Sequence, residues 1–134
     1  MPARLLHTEH LRLRWGEMDA LRHLNNVAYF RYFEEARIAW FSTLGAHYET
    51  DVEGALLGTI GCRFIKPLLY PADVTVQLHA GRVGNSSFTV SHRLTLRDEP
   101  EAACAEGDAV LVWVDLATGK ARPLPDHIRQ ALQG

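Results

Sequence analysis

The segment from residue 24 to residue 46, "LNNVAYFRYFEEARIAWFSTLGA", constrains the fold more than any other part of the chain. It contains no proline and no glycine before Gly45, so a helix can run through it without interruption. Asn25 or Asn26 can cap the start, because a short polar side chain accepts hydrogen bonds from the first free amides, and Gly45 suits the C-terminal stop. Apolar side chains occupy most of the circumference instead of a narrow stripe. The sequence therefore predicts a long helix that is surrounded by protein.

Strand-like patterns precede and follow this helix. Residues 7–15 alternate as a half-buried strand does, with Leu11, Leu13 and Trp15 on one face. The connections "GNSS" and "RDEPE" later in the chain are short, which predicts antiparallel neighbours, and Gly107 suggests a β-bulge. Pro125 and Asp126 begin a short terminal helix. The four later strand-like segments are residues 55–68, 73–83, 87–97 and 102–116.

These elements predict an α+β fold, in which a five-stranded antiparallel sheet curls around the long helix. One sheet leaves the far side of the helix and its own edge strands uncovered. A second copy of the chain would cover both, so we expect a homodimer. The 134 residues fit one domain, residues 1–134, because two cores would each be marginally stable.

Charge and composition exclude several classes of partner. A formal net charge of -2 provides no broad basic surface for nucleic acid. No apolar run approaches the roughly 18 to 20 residues of a membrane span and no signal-peptide pattern begins the chain, so we expect a cytoplasmic protein without membrane insertion. Cys62 and Cys104 lack metal or redox spacing and are expected in the core. The histidines and acids show no ligand spacing, so no metal is expected.

An ordered set of motifs runs along nearly the whole chain. The first group lies around the helix start and consists of Trp15, Glu17, Asp19, His23, Asn25, Asn26, Tyr29, Phe33, Glu34, Ala36 and Arg37. The second group consists of Phe64, Pro67, Leu68, Asp73, Val74, Val76, Arg82, Gly84, Ser86, Ser87 and Phe88, and "TGKARPLP" closes the set. In this order the motifs resemble the hot-dog-fold acyl-CoA thioesterases, specifically the 4-hydroxybenzoyl-CoA thioesterase-like group that includes the Tol-Pal-associated thioesterases. One departure is Arg22, where the family commonly has glycine.

The resemblance implies hydrolysis of an acyl-CoA thioester to a carboxylic acid and free CoA. Such a reaction needs a group that attacks the acyl carbon and a donor for the developing oxyanion. The free amides at the helix start supply donors, and both chemistry and resemblance favour the Asn26 amide. Asp19 would act as nucleophile or as general base on water, and its alternative role is that of an ordinary turn or cap residue.

Other residues near the helix start have competing interpretations. His23 could orient water or shuttle a proton, or be purely structural. Asn25 could contact the substrate or only cap the helix, and Tyr29 is a further candidate contact. Glu34 is a rival acid, because other hot-dog thioesterases use an acid on the helix, but the favoured interpretation is an ion pair of Glu34 with Arg37 or Arg31. Glu17 is expected to be solvated.

Coenzyme A would need cations and hydroxyl groups beside a surface groove. The resemblance suggests Arg82, Ser86 and Ser87 for this role, with Lys66 and Arg63 as further candidates. No cofactor is expected beyond coenzyme A, which is part of the substrate, and family dimers commonly pair into tetramers. Two other functions remain open from the sequence: a hot-dog hydratase or dehydratase, and a non-catalytic acyl-CoA-binding domain. The acyl chain and the thiol carrier, CoA or acyl carrier protein, are also open.

Overall fold

A computed structural model describes residues 3–134. Its elements are β1 Leu5–Arg12, a 3-10 turn Trp15–Glu17, α1 Asn26–Thr43, β2 Glu53–Phe64, β3 Asp73–Val83, β4 Ser87–Leu96, β5 Ala103–Asp115 and α2 Asp126–Gln133. The five strands form one antiparallel sheet in the order β1-β3-β4-β5-β2, and the long helix α1 packs on its inner face. The predicted α+β architecture is confirmed.

The ends of α1 lie where local chemistry places them. Asn25 caps the start, because its side-chain oxygen accepts a hydrogen bond from the Val27 amide at 2.9 Å. At the other end Gly45 adopts a φ of 90°, and the amides of Gly45 and Ala46 bond back to carbonyls of the last helical turn, both at 3.2 Å. This is the Schellman pattern, which satisfies the otherwise free carbonyls. Both predicted helix signals are confirmed.

Only one face of α1 is buried within the chain. Val27 and Ile38 are 62% and 42% exposed, so the prediction that protein surrounds the helix is wrong for a single copy. The sheet can cover only the side that it faces, and β1 and β2 remain as unpaired edges. The buried face consists of Ala28, Tyr29, Tyr32, Phe33, Ala36, Arg37, Trp40 and Phe41.

Two local predictions are wrong. The first strand ends at Arg12, and Trp15 instead begins the 3-10 turn with 75% of its surface exposed.

Gly107 makes no bulge, since it pairs in unbroken register with both neighbouring strands. A Cβ at Gly107 would lie 2.6 Å from a ring carbon of Phe33 and 2.6 Å from the carbonyl oxygen of Gly61. Gly107 is therefore required for the close approach of α1 to β5.

The sheet has two distinct ends. The start of α1 lies at the end where β2 finishes, because the Leu24 amide bonds to the Leu68 carbonyl at 2.9 Å. The turn between β3 and β4, residues 84–86, lies at the opposite end of the sheet, where Val83 pairs with Phe88.

No helix in the described part of the chain, residues 3–134, combines the length and apolar character of a membrane span.

A buried polar pair crosses the core beneath α1. Nη1 of Arg37 donates to Nε2 of His92 at 3.1 Å, and Nδ1 of His92 donates to the carbonyl of Gly107 at 3.0 Å. The His92 ring also stacks on Phe33, with centroids 4.6 Å apart. Burial, together with the nearby Arg37 charge, lowers the pKa of His92 to about 4, although the hydrogen bond to Gly107 acts in the opposite direction. His92 is therefore neutral at physiological pH, with Nε2 as an acceptor.

We expect acid to destabilise the fold through His92. The pKa of His92 is about 6.5 in the unfolded chain and about 4 in the folded protein. Between these two pH values the unfolded chain binds more protons than the folded protein does. The stability that is present above pH 6.5 is therefore lost as the pH falls from about 6.5 towards 4. The expected loss in the free energy of unfolding is about 2 kcal/mol between pH 7.5 and pH 5. Urea unfolding at the two pH values measures it. A His92→Gln variant should lose most of the difference, and an unchanged pH dependence in that variant would contradict the assignment.

Candidate functional site

A tight loop joins the 3-10 turn to α1 and carries the candidate acid. The Asp19 amide bonds to the His23 carbonyl at 2.8 Å, and the Asn25 amide bonds to the Glu17 carbonyl at 2.9 Å. Met18 and Leu24 form an isolated antiparallel bridge between these two bonds. The two sides of the loop therefore run together, which brings Asp19 to the same end of the sheet as the first turn of α1.

The two carboxylate oxygens of Asp19 differ in their environment. Oδ1 accepts hydrogen bonds from the amides of Leu21 at 2.9 Å and His23 at 3.1 Å. Oδ2 has no hydrogen-bond partner within residues 3–134, and the side chain is half-buried. The turn role that competed with catalysis is therefore real, but it uses one oxygen only. The other oxygen is available for chemistry.

The Asn26 amide is a free donor at the first position of α1. The next amides are satisfied, since Val27 bonds to the Asn25 side chain and Ala28 to the Asn25 carbonyl, both at 2.9 Å. The amide of Asn26 has no acceptor within the described residues, and Asn26 is exposed. Aligned peptide dipoles give this end of a helix partial positive charge. The amide can therefore stabilise negative charge on a bound oxygen.

Arg22 holds the conformation that explains the family's glycine. Its φ is 65°, in the left-handed region that glycine enters without steric cost. The loop thus keeps a glycine-type backbone although the residue is arginine. The exposed Arg22 side chain adds a positive charge beside the candidate site.

Replacing Arg22 by glycine is expected to stabilise the protein by about 0.5 to 1 kcal/mol, because relief of the left-handed strain exceeds the entropy that glycine adds to the unfolded chain. Thermal unfolding at pH 7.5 measures the change. Leu21→Gly is the matched control: Leu21 does not adopt a positive φ, so that variant should lose stability. Equal effects from the two glycines would refute the strain argument.

The remaining residues near the helix start divide between structural and free groups. Oδ1 of Asn25 is committed to the helix cap, which confirms the capping interpretation and leaves only its amide nitrogen for a ligand. His23 is half-buried, and its ring makes no hydrogen bond within the described chain. Tyr29 is 3% exposed, packs edge-on against Phe64, and has its pKa raised to about 12 chiefly by burial. Tyr29 is therefore a core side chain at this end of the sheet.

Glu17 and Glu34 both lie in environments that differ from the predicted ones. Glu17 is not solvated: it accepts hydrogen bonds from the Tyr32 hydroxyl and the Arg14 amide, and lies 3.6 Å from Arg31. Glu34 is exposed and makes no ion pair within residues 3–134, because Arg31 pairs with Glu17 and Arg37 bonds to His92. The predicted pairing of Glu34 with Arg37 or Arg31 is wrong. Contacts across different elements decide these partners, and no local pattern in the sequence encodes them.

The candidate coenzyme A contacts lie at both ends of the sheet. Lys66 is near the helix start, since its amide bonds to the Cys104 carbonyl, and its ammonium group lies 3.6 Å from Glu99. Arg63 pairs with Glu106 at 3.3 Å. Arg82, Ser86 and Ser87 flank the turn at the opposite end of the sheet. One copy of the chain therefore does not bring these three residues to Asp19.

Comparison with known proteins identifies the family. Residues 13–132 match the family model described as the thioesterase-like superfamily. The chain belongs to this superfamily. PA2801 of Pseudomonas aeruginosa, a proposed thioesterase, is a solved relative of this thioesterase-like chain, with a TM-score of 0.92 and 46% identity over 96% of this chain and 98% of that one. The recognised family and its hot-dog fold are thereby confirmed.

Two further relatives of this thioesterase-like chain have more specific names. A proposed acyl-CoA thioesterase from Xanthomonas campestris superposes with a TM-score of 0.81 and 29% identity over 90% of this chain and all (100%) of that one. The long-chain acyl-CoA thioesterase FadM of Escherichia coli is 25% identical over 92% of this chain and 94% of its own length. These names support thioester hydrolysis as the class of reaction. The narrower placement beside Tol-Pal-associated enzymes stays a prediction.

Proposed function

We propose that this protein hydrolyses acyl-CoA thioesters to a carboxylic acid and free coenzyme A. The observation that carries the proposal is that one loop presents two groups without hydrogen-bond partners in the described residues, Oδ2 of Asp19 and the backbone amide of Asn26. A thioester carbonyl at the helix start would accept a hydrogen bond from that amide, while its carbon faces the carboxylate. Membership of the thioesterase-like superfamily supports the same reaction.

Asp19 has two possible roles in this reaction. As a nucleophile it would form a mixed anhydride and expel the CoA thiolate, whose pKa near 8.5 makes it a good leaving group. As a general base it would take a proton from water that attacks the carbonyl. In either case the Asn26 amide would stabilise the oxyanion, and His23, on the same loop, would orient water or carry a proton.

A dimer would complete the substrate site. Arg82, Ser86 and Ser87 lie far from the helix start of their own chain, so they can bind coenzyme A beside Asp19 only if a second copy presents them. The unpaired edges β1 and β2 and the exposed apolar residues of α1 support such pairing. We accordingly propose a homodimer with its active site at the subunit interface, pairing further into a dimer of dimers. The enzyme would be cytoplasmic and would need no cofactor.

Steady-state release of free thiol tests the function directly. The substrates are short-chain, long-chain and aromatic acyl-CoAs, with the same acyl groups on acyl carrier protein; the name of the FadM relative makes long-chain acyl-CoA a required member of the panel. We expect thiol release well above the spontaneous rate for at least one acyl-CoA. A parallel assay follows hydration of an enoyl-CoA. Hydration without thiol release would support the hydratase alternative, and binding without turnover would support a non-catalytic domain.

We expect complementation between two inactive variants if the interface is shared. Asp19→Asn removes the carboxylate, and Arg82→Glu reverses the charge that the partner would present. Random mixing of dissociated subunits makes about half of the dimers hybrids, and one site in each hybrid is intact, so activity should recover to about a quarter of wild type. Each variant refolded alone is the control. No recovery in hybrids verified by mass spectrometry would place both residues in the same subunit's site or remove Arg82 from it.

A further inference from the structure

Glu17 ties the 3-10 turn to the body of α1. Oε1 of its carboxylate accepts a hydrogen bond from the hydroxyl of Tyr32, in the second turn of α1, and one from the Arg14 amide at 3.1 Å. Oε2 lies 3.6 Å from Nη1 of Arg31. The side chain of Glu17 is 11% exposed and Tyr32 is buried, whereas the Arg31 side chain is 59% exposed. The bond from Tyr32 is therefore sheltered from water, and the ion pair is not.

The backbone of Glu17 belongs to the loop that carries Asp19. The Glu17 carbonyl accepts the hydrogen bond from the Asn25 amide, and Asp19 follows two residues later. Oδ1 of Asp19 bonds only to amides of the loop itself, so it fixes the shape of the loop and not its position on the helix. Among residues 13–24, as the structure describes them, Glu17 alone makes side-chain hydrogen bonds or ion pairs with α1. The directional contact between loop and helix is therefore concentrated on this carboxylate.

Tyr32 presents a fixed donor to Glu17. Its ring lies in the same core cluster as Leu13 and Leu24, so close packing sets the position of the hydroxyl. Burial, and then the Glu17 carboxylate, raise the pKa of Tyr32, which keeps the hydroxyl protonated at physiological pH. A hydroxyl that donates to a carboxylate forms a charge-assisted bond, which is stronger than a bond between neutral groups.

Taking Asp19 as the reacting acid of the function proposed above, we infer that Glu17 is a positioning residue for Asp19. The bond from Tyr32 to Glu17 sets the position of Oδ2 of Asp19 relative to the Asn26 amide. Both of these groups act on one thioester carbonyl, and a misplacement of about 1 Å can cost about a hundredfold in rate. Glu17 acts through the loop and needs no contact with the substrate.

Tyr32→Phe tests the inference, because it removes the donor and keeps the buried ring. We expect kcat for acyl-CoA hydrolysis to fall about tenfold to a hundredfold, since the carboxylate of Asp19 is no longer held in place. KM should stay within about twofold, since the groups that bind the substrate remain. Steady-state thiol release by the full-length protein measures both constants.

Three further variants separate the bond from the charge. Glu17→Ala removes the acceptor and should match the loss in Tyr32→Phe, because both break the same bond. Glu17→Gln keeps an Oε1 that can accept from Tyr32 and Arg14, so it should recover most of that loss. Arg31→Gln breaks only the exposed ion pair and should leave kcat within about twofold of wild type.

An Asp19→Asn background distinguishes positioning from loss of fold. If Glu17 acts through the carboxylate of Asp19, adding Tyr32→Phe to Asp19→Asn should lower the residual rate by less than about twofold. A variant that is merely unstable would lose the same fraction of active enzyme in both backgrounds. Single turnovers with enzyme in excess make the residual rate measurable, and thermal unfolding gives the folded fraction of each variant.

Three results would overturn the inference: nearly wild-type kcat in Tyr32→Phe, an equal loss in both backgrounds, or a raised KM at constant kcat. The last would mean that the pair contacts substrate, since Glu17 and Tyr32 also line a groove of about 640 Å³ beside β1. A wild type that hydrolyses no acyl-CoA rejects the proposed function and the positioning role together. An inactive Asp19→Asn with a fully active Tyr32→Phe rejects the positioning role alone.

Discussion

Replacing Asp19 by asparagine is expected to lower kcat for acyl-CoA hydrolysis by about a thousandfold, because the amide can neither attack the acyl carbon nor accept a proton from water. The substitution should leave the fold intact. Asparagine keeps an Oδ1 that can accept the bonds from the amides of Leu21 and His23. KM should change little, since the carboxylate acts on the reaction more than on substrate binding. Thiol release under saturating substrate measures the effect.

Asp19→Ala is the control that separates the two oxygens. It should lose the same activity and in addition destabilise the protein, because the amides of Leu21 and His23 lose their acceptor. A single turnover of the wild-type enzyme in ¹⁸O-labelled water then tests for a nucleophile. Unlabelled acid identifies Asp19 as the nucleophile, because one of its oxygens passes to the acid, whereas labelled acid fits both a general base and attack of water on the acyl carbon of the anhydride. Activity of Asp19→Asn within a few-fold of wild type would exclude this carboxylate from the chemistry.

Replacing Asn26 by proline is expected to lower kcat by about a hundredfold to a thousandfold, the usual cost of losing one oxyanion donor. Proline removes the backbone N–H at the first helical position, where that group has no partner in the described chain and where proline is favoured. Asn25 has φ −60° and ψ 138°, an extended conformation that a following proline accepts. The main-chain donor can thus be deleted while the helix is kept.

Asn26→Ala is the matched control, because it removes the side chain and keeps the amide. We expect nearly wild-type kcat for alanine and a large loss for proline, with circular dichroism and thermal unfolding confirming that both variants keep the fold. A proline variant that is folded and fully active would show that the oxyanion is stabilised elsewhere. An alanine variant as slow as the proline variant would transfer the role to the Asn26 side chain.

The fold was largely predictable from the sequence because its signals are local. The cap at Asn25 and the stop at Gly45 each depend on a few neighbouring residues, and both are where the pattern places them. Alternation along β3 and β4 likewise reflects a period that each strand carries by itself. Asp19 and Asn26 could be singled out for the same reason, since both lie close together in the sequence at the start of one helix.

Contacts between distant segments were not predictable. The partners of Arg37 and Glu17 depend on how α1 sits on the sheet, whereas the sequence alone favoured Glu34 as the partner of Arg37 and solvent around Glu17. The position of Arg82 relative to Asp19 depends on strand order, which no single motif encodes. Trp15 was misplaced because hydrophobic alternation continues past the last paired residue of β1, where the ladder has already ended. Such errors concern where elements end and how they pack, since each predicted helix and strand is present.

The lack of a side chain at Gly107 sets the distance between α1 and the sheet. Because the Phe33 ring occupies the space that a methyl group would need, any larger residue would act as a wedge beneath the middle of α1. The helix α1 would then tilt about the contact between Phe33 and residue 107, and its N-terminus would move away from the loop that carries Asp19. A change deep in the interior, remote from any substrate, could in this way misalign the reacting groups while every one of them is still present.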